Sequence, residues 1–368
     1  MYNSYILPSA NRTNLNIIRN AKVQKVLINE NTTAYGVQVK WNNKTEVFYA
    51  SQEIILSAGA INSPHILMLS GVGPKEHLEA KNITCVVDSP MVGQNFQDHN
   101  LVPVPIYANE PGQLTITEQN AQLLSYLVNR DGYLAQSSLL SDIMAFYSTQ
   151  ENATYPNCQI HVRVIQKNAS ALKESFVLAF RYNETTVDSI VENNTNHALY
   201  YFLFILLHPF SRGNISLNTS NPDNAPLIYA KYFDDSRDLD ICVTGIKMLT
   251  KIVNSSYFKS IGGFLGRISV PTCNVMEIDS EDYWRCICLN VASTSYHPVG
   301  TCKMGPDLST SVVDSRLRVH GVKNLRVIDA SIMPSITSGN TNGPTIMIGE
   351  RGAELLIQDY KNRVNTGK

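Results

Sequence analysis

The sequence has 368 residues, 43% of them hydrophobic, and its 30 basic and 31 acidic side chains give a formal net charge of −1. These values indicate a globular protein with enough apolar residues for about two domains. No run of Lys or Arg forms a surface for nucleic acid, and no stretch approaches the roughly 18 apolar residues of a membrane-spanning helix.

The first predicted elements are a strand hairpin and a strand-turn-helix unit. Residues 14–28 and 35–41 alternate apolar and polar side chains and are rich in Val and Ile, which predicts two paired strands. The stretch EIILSAGA at 53–60 predicts another strand. Ser63, followed by Pro64, then predicts a helix start, with serine as N-cap and proline at the first helical position. This order places a backbone turn against a cofactor at the end of a parallel strand.

Residues from about 100 to 290 predict a second domain, built mainly on an antiparallel sheet. The segments FVLAFRY at 176–182 and ALYYFLFILLHPF at 198–210 are rich in Tyr, Phe and Val, as buried strands are. Helical periodicity is weak before residue 236. A helix over 237–253 is then predicted by apolar residues at helical spacing, namely Leu239, Cys242, Val243, Ile246 and Leu249.

The last segment returns to α/β patterning. NLRVIDAS at 324–331 predicts a strand with Asp329 at its carboxyl end, and PTIMIGERGAELLIQDY at 344–360 predicts a helix. Gly352 lies on the apolar face of that helix, where its missing side chain lets another element approach closely. An α/β framework thus opens and closes the chain, with the sheet domain inserted between.

Seven cysteines lie at 85, 158, 242, 273, 286, 288 and 302. Cys286 and Cys288 form a C-x-C on what is predicted to be a short strand or helix end. A metal site there needs two further ligands nearby and the sequence offers none, so we expect no metal. Buried thiols with one or two disulfides are the expected state.

The N-terminus, MYNSYILPSANRTNLN, lacks the basic and apolar regions of a secretory leader, so we expect no signal peptide in this chain. Eleven Asn-x-Ser/Thr sequons nevertheless favour a secreted or extracellular full-length protein, although an Asn-rich composition supplies some by chance. The acceptors are Asn11, Asn31, Asn43, Asn82, Asn152, Asn168, Asn183, Asn193, Asn214, Asn218 and Asn254.

Five motifs in order along the chain resemble the glucose-methanol-choline (GMC) family of flavoprotein oxidoreductases, most closely its insect glucose dehydrogenase-like branch. They are SAGAINSPHILMLSGVGP at 57–74, VGQNFQDH at 92–99, HPFSRGNISL at 208–217, STSYHPVGTCKMG at 293–305 and LRVIDASIMPSITSGNTNGPTIMIGERGAELL at 325–356. The resemblance implies an α/β fold in which a Rossmann-like FAD-binding domain holds an inserted antiparallel-sheet substrate domain. The implied ranges are 1–97 and 293–368 for the FAD-binding domain and 98–292 for the substrate domain.

The resemblance also implies FAD-dependent oxidation of an alcohol or sugar, with hydride passing to flavin N5 while a base takes the hydroxyl proton. His297 matches the catalytic histidine of the family, and Pro298 restrains its backbone toward an extended form. Asn340 matches the second active-site position, which is His or Asn in relatives. As an amide it can hold the substrate oxygen but cannot share proton transfer, so the base would be His297 alone. The alternatives are a hydrogen-bonded core histidine for His297 and a turn residue for Asn340.

Further family positions concern the cofactor. The positions that match FAD contacts are Val23 at the adenine, Asp329 and Ala330 beside the ribityl chain and pyrophosphate, and Asn342, Pro344 and Thr345 at the start of the last helix. That helix N-terminus would stabilise negative charge on the flavin ring. For Val23 a core strand position is the alternative. Asn95 and His99, from VGQNFQDH, are interpreted as residues that shape the flavin-side loop and not as catalysts.

The sequence departs from the family pattern in one respect, because it contains no G-x-G-x-x-G. We therefore expect the first βαβ unit of the FAD domain to be missing, either because the sequence is a fragment or because it is a short product that binds flavin poorly. An oxidase that passes electrons to O₂ and an FAD-free noncatalytic or interaction protein remain alternatives to a dehydrogenase. A Ser/His hydrolase lacks its G-x-S-x-G motif. The motifs name neither the substrate nor the electron acceptor.

Overall fold

The computed structural model describes residues 2–109, 116–131, 143–169 and 172–366. Its strands are β1 (Ala21–Ile28), β2 (Ala34–Trp41), β3 (Lys44–Tyr49), β4 (Ile54–Leu56), β5 (Val72–Gly73), β6 (Val87–Asp88), β7 (Asn100–Ala108), β8 (Ile143–Tyr147), β9 (Cys158–Ile165), β10 (Ala198–Leu206), β11 (Asn214–Ser216), β12 (Leu227–Tyr229), β13 (Phe264–Leu265), β14 (Ser293–Thr294) and β15 (Leu325–Val327). Its helices are α1 (Gly59–Leu69), α2 (Lys75–Ala80), α3 (Ile116–Asn129), α4 (Leu172–Phe180), α5 (Glu184–Asn194), α6 (Ser236–Thr250), α7 (Ser256–Ser260), α8 (Glu281–Val291) and α9 (Asn342–Thr366).

The N-terminal strands form an antiparallel sheet in the order β1-β2-β3. The predicted hairpin is confirmed as β1 and β2, with Val23 opposite Val39, although β1 begins seven residues later than predicted, at Ala21 and not at residue 14. The third strand, β3, was not predicted. All six of its residues are exposed, so it lacks the alternating buried face on which the prediction of a strand depends.

Helix α1 begins earlier than predicted, at Gly59, and Ser63 lies inside it. The prediction of Ser63 as N-cap is therefore wrong. The Ser63 hydroxyl instead accepts the backbone N–H of Ala58 at 3.1 Å and donates to Asp329 Oδ2 at 2.5 Å. A tertiary bond to the end of another strand has replaced the local capping bond, which is why local sequence could not place the helix start.

Pro64 is accommodated inside α1 by a residue far away in the chain. Proline has no N–H, so it cannot bond to the carbonyl of Ala60 four residues earlier. That buried carbonyl accepts the hydroxyl of Thr301 at 2.6 Å. The loop that follows the STSYHP segment therefore supplies the donor that Pro64 lacks, and α1 is tied to that loop.

A larger antiparallel sheet has the order β13-β7-β10-β9-β8, and β14 also pairs with β7. Strands β7 and β10 lie at its centre and are almost entirely buried; β10 confirms the strand predicted within 198–210. Strand β14 pairs with one end of β7 and β13 with the other, which leaves Pro103 and Pro105 between the two short strands. This arrangement suits proline, which cannot donate to a neighbouring strand.

Helices cover this sheet, and two sequence predictions here need correction. The segment 176–182 is not a strand: α4 runs to Phe180, and Leu172 and Phe176 are buried one turn apart on one face. The region before 236 also contains α3 and α5, which weak periodicity did not reveal. The helix predicted over 237–253 is confirmed as α6, with its N-cap at Asp235.

The C-terminal elements return to the N-terminal part of the fold. Strand β15 pairs in parallel with β4, and α9 follows two residues earlier than predicted, at Asn342. A Cβ added to Gly352 would lie 2.4 Å from Ile328 Cγ2, so the predicted close approach at this glycine is confirmed.

The C-x-C pair lies within α8 and not at a strand or helix end. Cys286 forms a disulfide with Cys273, while the thiol of Cys288 lies 2.9 Å from that of Cys242. Within the described ranges, no helix combines the length and apolar character needed to cross a membrane.

Candidate active site

His297 lies in a loop that runs antiparallel to the end of the VGQNFQDH motif. On one side of it Thr294 pairs with Asn100, and the Ser295 N–H bonds to the His99 carbonyl at 2.9 Å. On the other side Val299 and Gln97 exchange backbone hydrogen bonds of 2.9 and 3.1 Å. This ladder fixes the register of the loop, so residues about 200 positions apart in the chain face each other.

The backbone of His297 is held by Asp98. Its N–H donates to Asp98 Oδ1 at 3.0 Å, and the hydroxyl of Tyr232 donates to Asp98 Oδ2 at 2.6 Å. Burial raises the pKa of the Asp98 carboxyl, while the hydrogen bonds it accepts act in the opposite direction. Tyr296, just before His297, has a φ of 59°, a strained value for a non-glycine residue. The backbone is thus fixed at this histidine.

The imidazole of His297 contacts that of His99. Their Nδ1 atoms are 3.0 Å apart, and the two rings are nearly perpendicular, with centroids 5.1 Å apart. His99 is fully buried, and its Nε2 lies 3.1 Å from the carbonyl oxygen of Leu207. His99 is therefore more than a residue that shapes a loop, because it is a direct partner of the candidate base.

Both histidines are neutral at neutral pH. Burial, followed by the charge of His297, lowers the pKa of His99 to about 3. Burial, followed by the charge of His161, lowers the pKa of half-buried His297 to about 4. A neutral imidazole retains a lone pair on one nitrogen, so His297 is available as a proton acceptor over the physiological range.

Strand β9 contributes two polar side chains to the same region. Gln159 and His161 are two residues apart, on the same face of the strand, and both are buried. Gln159 Nε2 lies 2.8 Å from His161 Nε2 and donates to Asn340 Oδ1 at 3.2 Å. The amide of Asn340 thus accepts through Oδ1, and its Nδ2 carries hydrogens that can be donated. His161 also acts electrostatically on His297, so Asn340 and His297 both lie near β9.

The residues matched to FAD contacts lie at several places. Val23 is half-buried in β1 and lines a cavity of about 600 Å³. Lys22, His65 and the residues Ser57 and Ala58, which follow β4, line the same cavity. The cavity therefore lies at the carboxyl end of the parallel strand β4, and α/β proteins place their ligands at such strand ends.

The carboxylate of Asp329 is committed to the protein itself. Its Oδ2 accepts the Gly59 N–H at 2.9 Å and the Ser63 hydroxyl at 2.5 Å, and its Oδ1 accepts the Ser331 N–H at 2.8 Å. It therefore caps α1 and the short helical turn after β15. These three donors fill most of the roughly four acceptor sites of the carboxylate, so its main contacts are within the protein.

The start of α9 is open. Asn342 is exposed, Pro344 and Thr345 are half-buried, and a Cβ on Gly343 would have no atom within 4 Å. Thr345 bonds back to the Thr341 carbonyl through both its N–H and its hydroxyl. A helix N-terminus in this state offers N–H groups and a positive dipole end. Ala330, by contrast, accepts the Gly300 N–H at 3.3 Å and so contacts the loop after His297.

Sequence reasoning missed the supporting side chains of this site. Asp98, Gln159 and His161 were not singled out, and His99 was given a different role. Two signals were available in the sequence: an acid directly before a histidine at 98–99, and a polar Gln-x-His alternation in the otherwise apolar start of β9. Neither signal names its partner, because each acts across long stretches of chain.

Family comparisons agree with these motifs. The profile of the N-terminal part of the GMC oxidoreductases matches residues 1–101, and that of the C-terminal part matches residues 209–349. Ecdysone oxidase of Bombyx mori is 36% identical over 96% of this chain and 51% of its own length. Glucose dehydrogenase [FAD, quinone] of Drosophila melanogaster is 33% identical over 98% of this chain and 56% of its own length.

Among solved structures, formate oxidase of Aspergillus oryzae superposes with a TM-score of 0.76 at 25% identity, covering 96% of this chain and 63% of that one. This similarity confirms the predicted α/β fold, with a Rossmann-type FAD-binding part and an antiparallel-sheet part. The chain spans about half the length of the curated relatives it matches. By motifs, sequence profiles and fold, the chain belongs to the glucose-methanol-choline oxidoreductase family.

Proposed function

We propose that the chain carries the proton-accepting site of an FAD-dependent oxidoreductase that acts on CH–OH groups, with an alcohol or sugar as the substrate. The observation that carries the proposal is His297, whose imidazole is neutral and half-buried and whose backbone and ring are each held by a hydrogen-bond partner. A fixed base of this kind is typically worth about 10²–10⁴ in rate.

The residues present fit FAD at two points. The cavity beside Val23 opens at the end of β4, and the open N-terminus of α9, with Asn342, Pro344 and Thr345, suits a group that develops negative charge. Asp329 and Ala330 fit through their main chain. When bound, FAD supplies a hydride acceptor for the carbinol carbon.

The chain's own residues have two tasks. His297 takes the hydroxyl proton of the substrate, and Asn340, with its Oδ1 held by Gln159, donates from Nδ2 to the same oxygen. The names of the relatives include an oxidase of ecdysone and a dehydrogenase of glucose, so a sugar and a larger alcohol are both substrates to test. Dehydrogenase activity is proposed ahead of oxidase activity.

Secretion is part of the proposal. Nine of the sequons have exposed acceptors, and the Cys273–Cys286 disulfide suits an oxidising compartment. The exposed acceptors are Asn11, Asn31, Asn43, Asn82, Asn152, Asn168, Asn183, Asn218 and Asn254.

The test is His297→Gln in protein that carries FAD. Anaerobic flavin bleaching by a panel of sugars and alcohols should slow by about 10² or more, with FAD content unchanged. Thr310→Ala, on an exposed loop, is the matched control. Normal bleaching in His297→Gln would exclude His297 as the base.

The alternative function, an FAD-free noncatalytic protein, predicts that no flavin is bound after incubation with excess FAD. A dye acceptor assayed beside peroxide formation separates dehydrogenase from oxidase.

A further inference from the structure

Each ring nitrogen of the fully buried His99 has a close partner, one of which can only accept a hydrogen bond, and the backbone of Thr337 is a further acceptor beside the ring. Its Nε2 lies 3.1 Å from the Leu207 carbonyl oxygen, and its Nδ1 lies 3.0 Å from His297 Nδ1. A carbonyl oxygen has no hydrogen to donate, so Nε2 of His99 must carry one.

The hydrogen on Nε2 determines the rest of the pair. A neutral imidazole carries one N–H, so Nδ1 of His99 has a lone pair and accepts. Two lone pairs cannot form a hydrogen bond, and His297 Nδ1 must therefore be the donor. The free lone pair of His297 is then on Nε2, the nitrogen that does not face His99.

The opposite arrangement requires a positively charged His99. Both of its nitrogens would then donate, His297 would accept at Nδ1, and its Nε2 would carry the hydrogen. Burial and the neighbouring His297 hold the pKa of His99 at about 3, so this form is absent at neutral pH. The geometry and the charge state select the same tautomer.

We propose that His99 is a positioning residue that selects the tautomer of His297 with hydrogen on Nδ1 and a lone pair on Nε2. The proposal rests on the proposed role of His297 as base. In the step served, the substrate O–H bond breaks and an N–H bond forms at His297 Nε2, while the hydrogen on Nδ1 stays in its bond to His99. The catalytic triad of serine proteases uses an aspartate for the same selection.

An uncharged partner has a further consequence. An aspartate stabilises the imidazolium that forms, whereas neutral His99 selects the tautomer without adding a negative charge. His297 therefore keeps its low pKa and remains unprotonated before the substrate binds.

The direct test is the tautomeric state of His297 in the chain labelled with ¹⁵N-histidine, assigned among the eight histidines by the signal lost in His297→Gln. At pH 7 we expect hydrogen on Nδ1 of His297 and on Nε2 of His99. Hydrogen on Nε2 of His297 would overturn the proposal. This measurement needs neither FAD nor substrate, so it stands apart from the test of the base.

Two variants at one position sharpen the result. His99→Asn places an amide near the former Nδ1, where its oxygen can accept from His297, whereas His99→Leu removes every acceptor. We expect the Nδ1–H tautomer in His99→Asn and a mixture of tautomers in folded His99→Leu. In protein that carries FAD, flavin bleaching should then slow by roughly 2- to 10-fold in His99→Leu, because only the fraction of His297 with its lone pair on Nε2 reacts, with recovery in His99→Asn.

The outcomes separate the two ideas. The tautomer of His297 and the bleaching rate could stay unchanged in His99→Leu while His297→Gln loses bleaching. That result would refute the positioning role of His99 and leave His297 as the base. The expected tautomers, with normal bleaching in His297→Gln, support the selection by His99 but refute His297 as base.

Discussion

Replacing Gly352 by alanine tests how tightly α9 lies against the strand end that carries Asp329. The new Cβ would lie 2.4 Å from Ile328 Cγ2 and 2.9 Å from Cδ1, distances that real Cβ atoms do not tolerate. Overpacking of this kind costs about 1–3 kcal/mol. Alanine also favours a helix over glycine by about 1 kcal/mol, so the two effects oppose each other.

Gly349, three residues earlier in the same helix, provides the matched control. A Cβ there meets no atom within 4 Å, so Gly349→Ala should gain the helix propensity alone and raise the free energy of unfolding by about 1 kcal/mol. The difference between the two alanine variants then isolates the overpacking, about 1–3 kcal/mol. Urea unfolding followed by circular dichroism, at constant m, measures it.

A third variant shows whether Ile328 is the cause. In a Gly352→Ala, Ile328→Ala double variant the clash is gone, so the cost of Gly352→Ala should shrink when it is measured in that background. If Gly352→Ala stabilises the protein as much as Gly349→Ala does, α9 does not pack closely against Ile328 at this position.

Two further predictions concern charge. If His297 is the base, as proposed, it must be unprotonated to act. Because burial and His161 lower its pKa to about 4, flavin bleaching should be independent of pH from about 6 to 8 and fall below about pH 5; a midpoint near the ordinary histidine value would contradict this. Arg326 is fully buried, with Glu53 at 2.6 Å and Asp359 at 2.8 Å; because Asp359 still pairs with Arg326, Glu53→Gln should lower the free energy of unfolding by about 1–3 kcal/mol. Replacing Glu53 and Arg326 together by Leu and Met should recover most of that loss in urea unfolding, and no recovery would show that the buried charge is not the cause.

Strands and helices with a strong apolar pattern were predictable from the sequence. Helix α6 was found because burial of one face imposes a period on its residues, and strand β10 was found because burial of both faces makes it a continuous apolar run. Strand β3 has no buried face to show a period, and α4 was mistaken for a strand because its aromatic and β-branched residues also suit strands. The start of α1 depends on Asp329, which local sequence cannot reveal.

The candidate site was predictable only in part. The family motifs predicted His297 and Asn340. The residues that form hydrogen bonds with their side chains lie far from them in the chain. The His99–His297 pair spans 198 residues, and the Gln159–Asn340 pair spans 181. Polar contacts of this kind leave no periodicity in the sequence, so only the fold identifies which groups meet.

The separation between His99 and His297 also sets the time at which the site can first exist during synthesis. A ribosome adds about 5–20 residues per second, so about 10–40 s pass between the appearance of the two histidines. Until then Asp98 and His99 lack their partner, and Ala60 lacks the hydroxyl of Thr301. Chains that stop before His297 therefore contain His99 without the imidazole that its Nδ1 contacts.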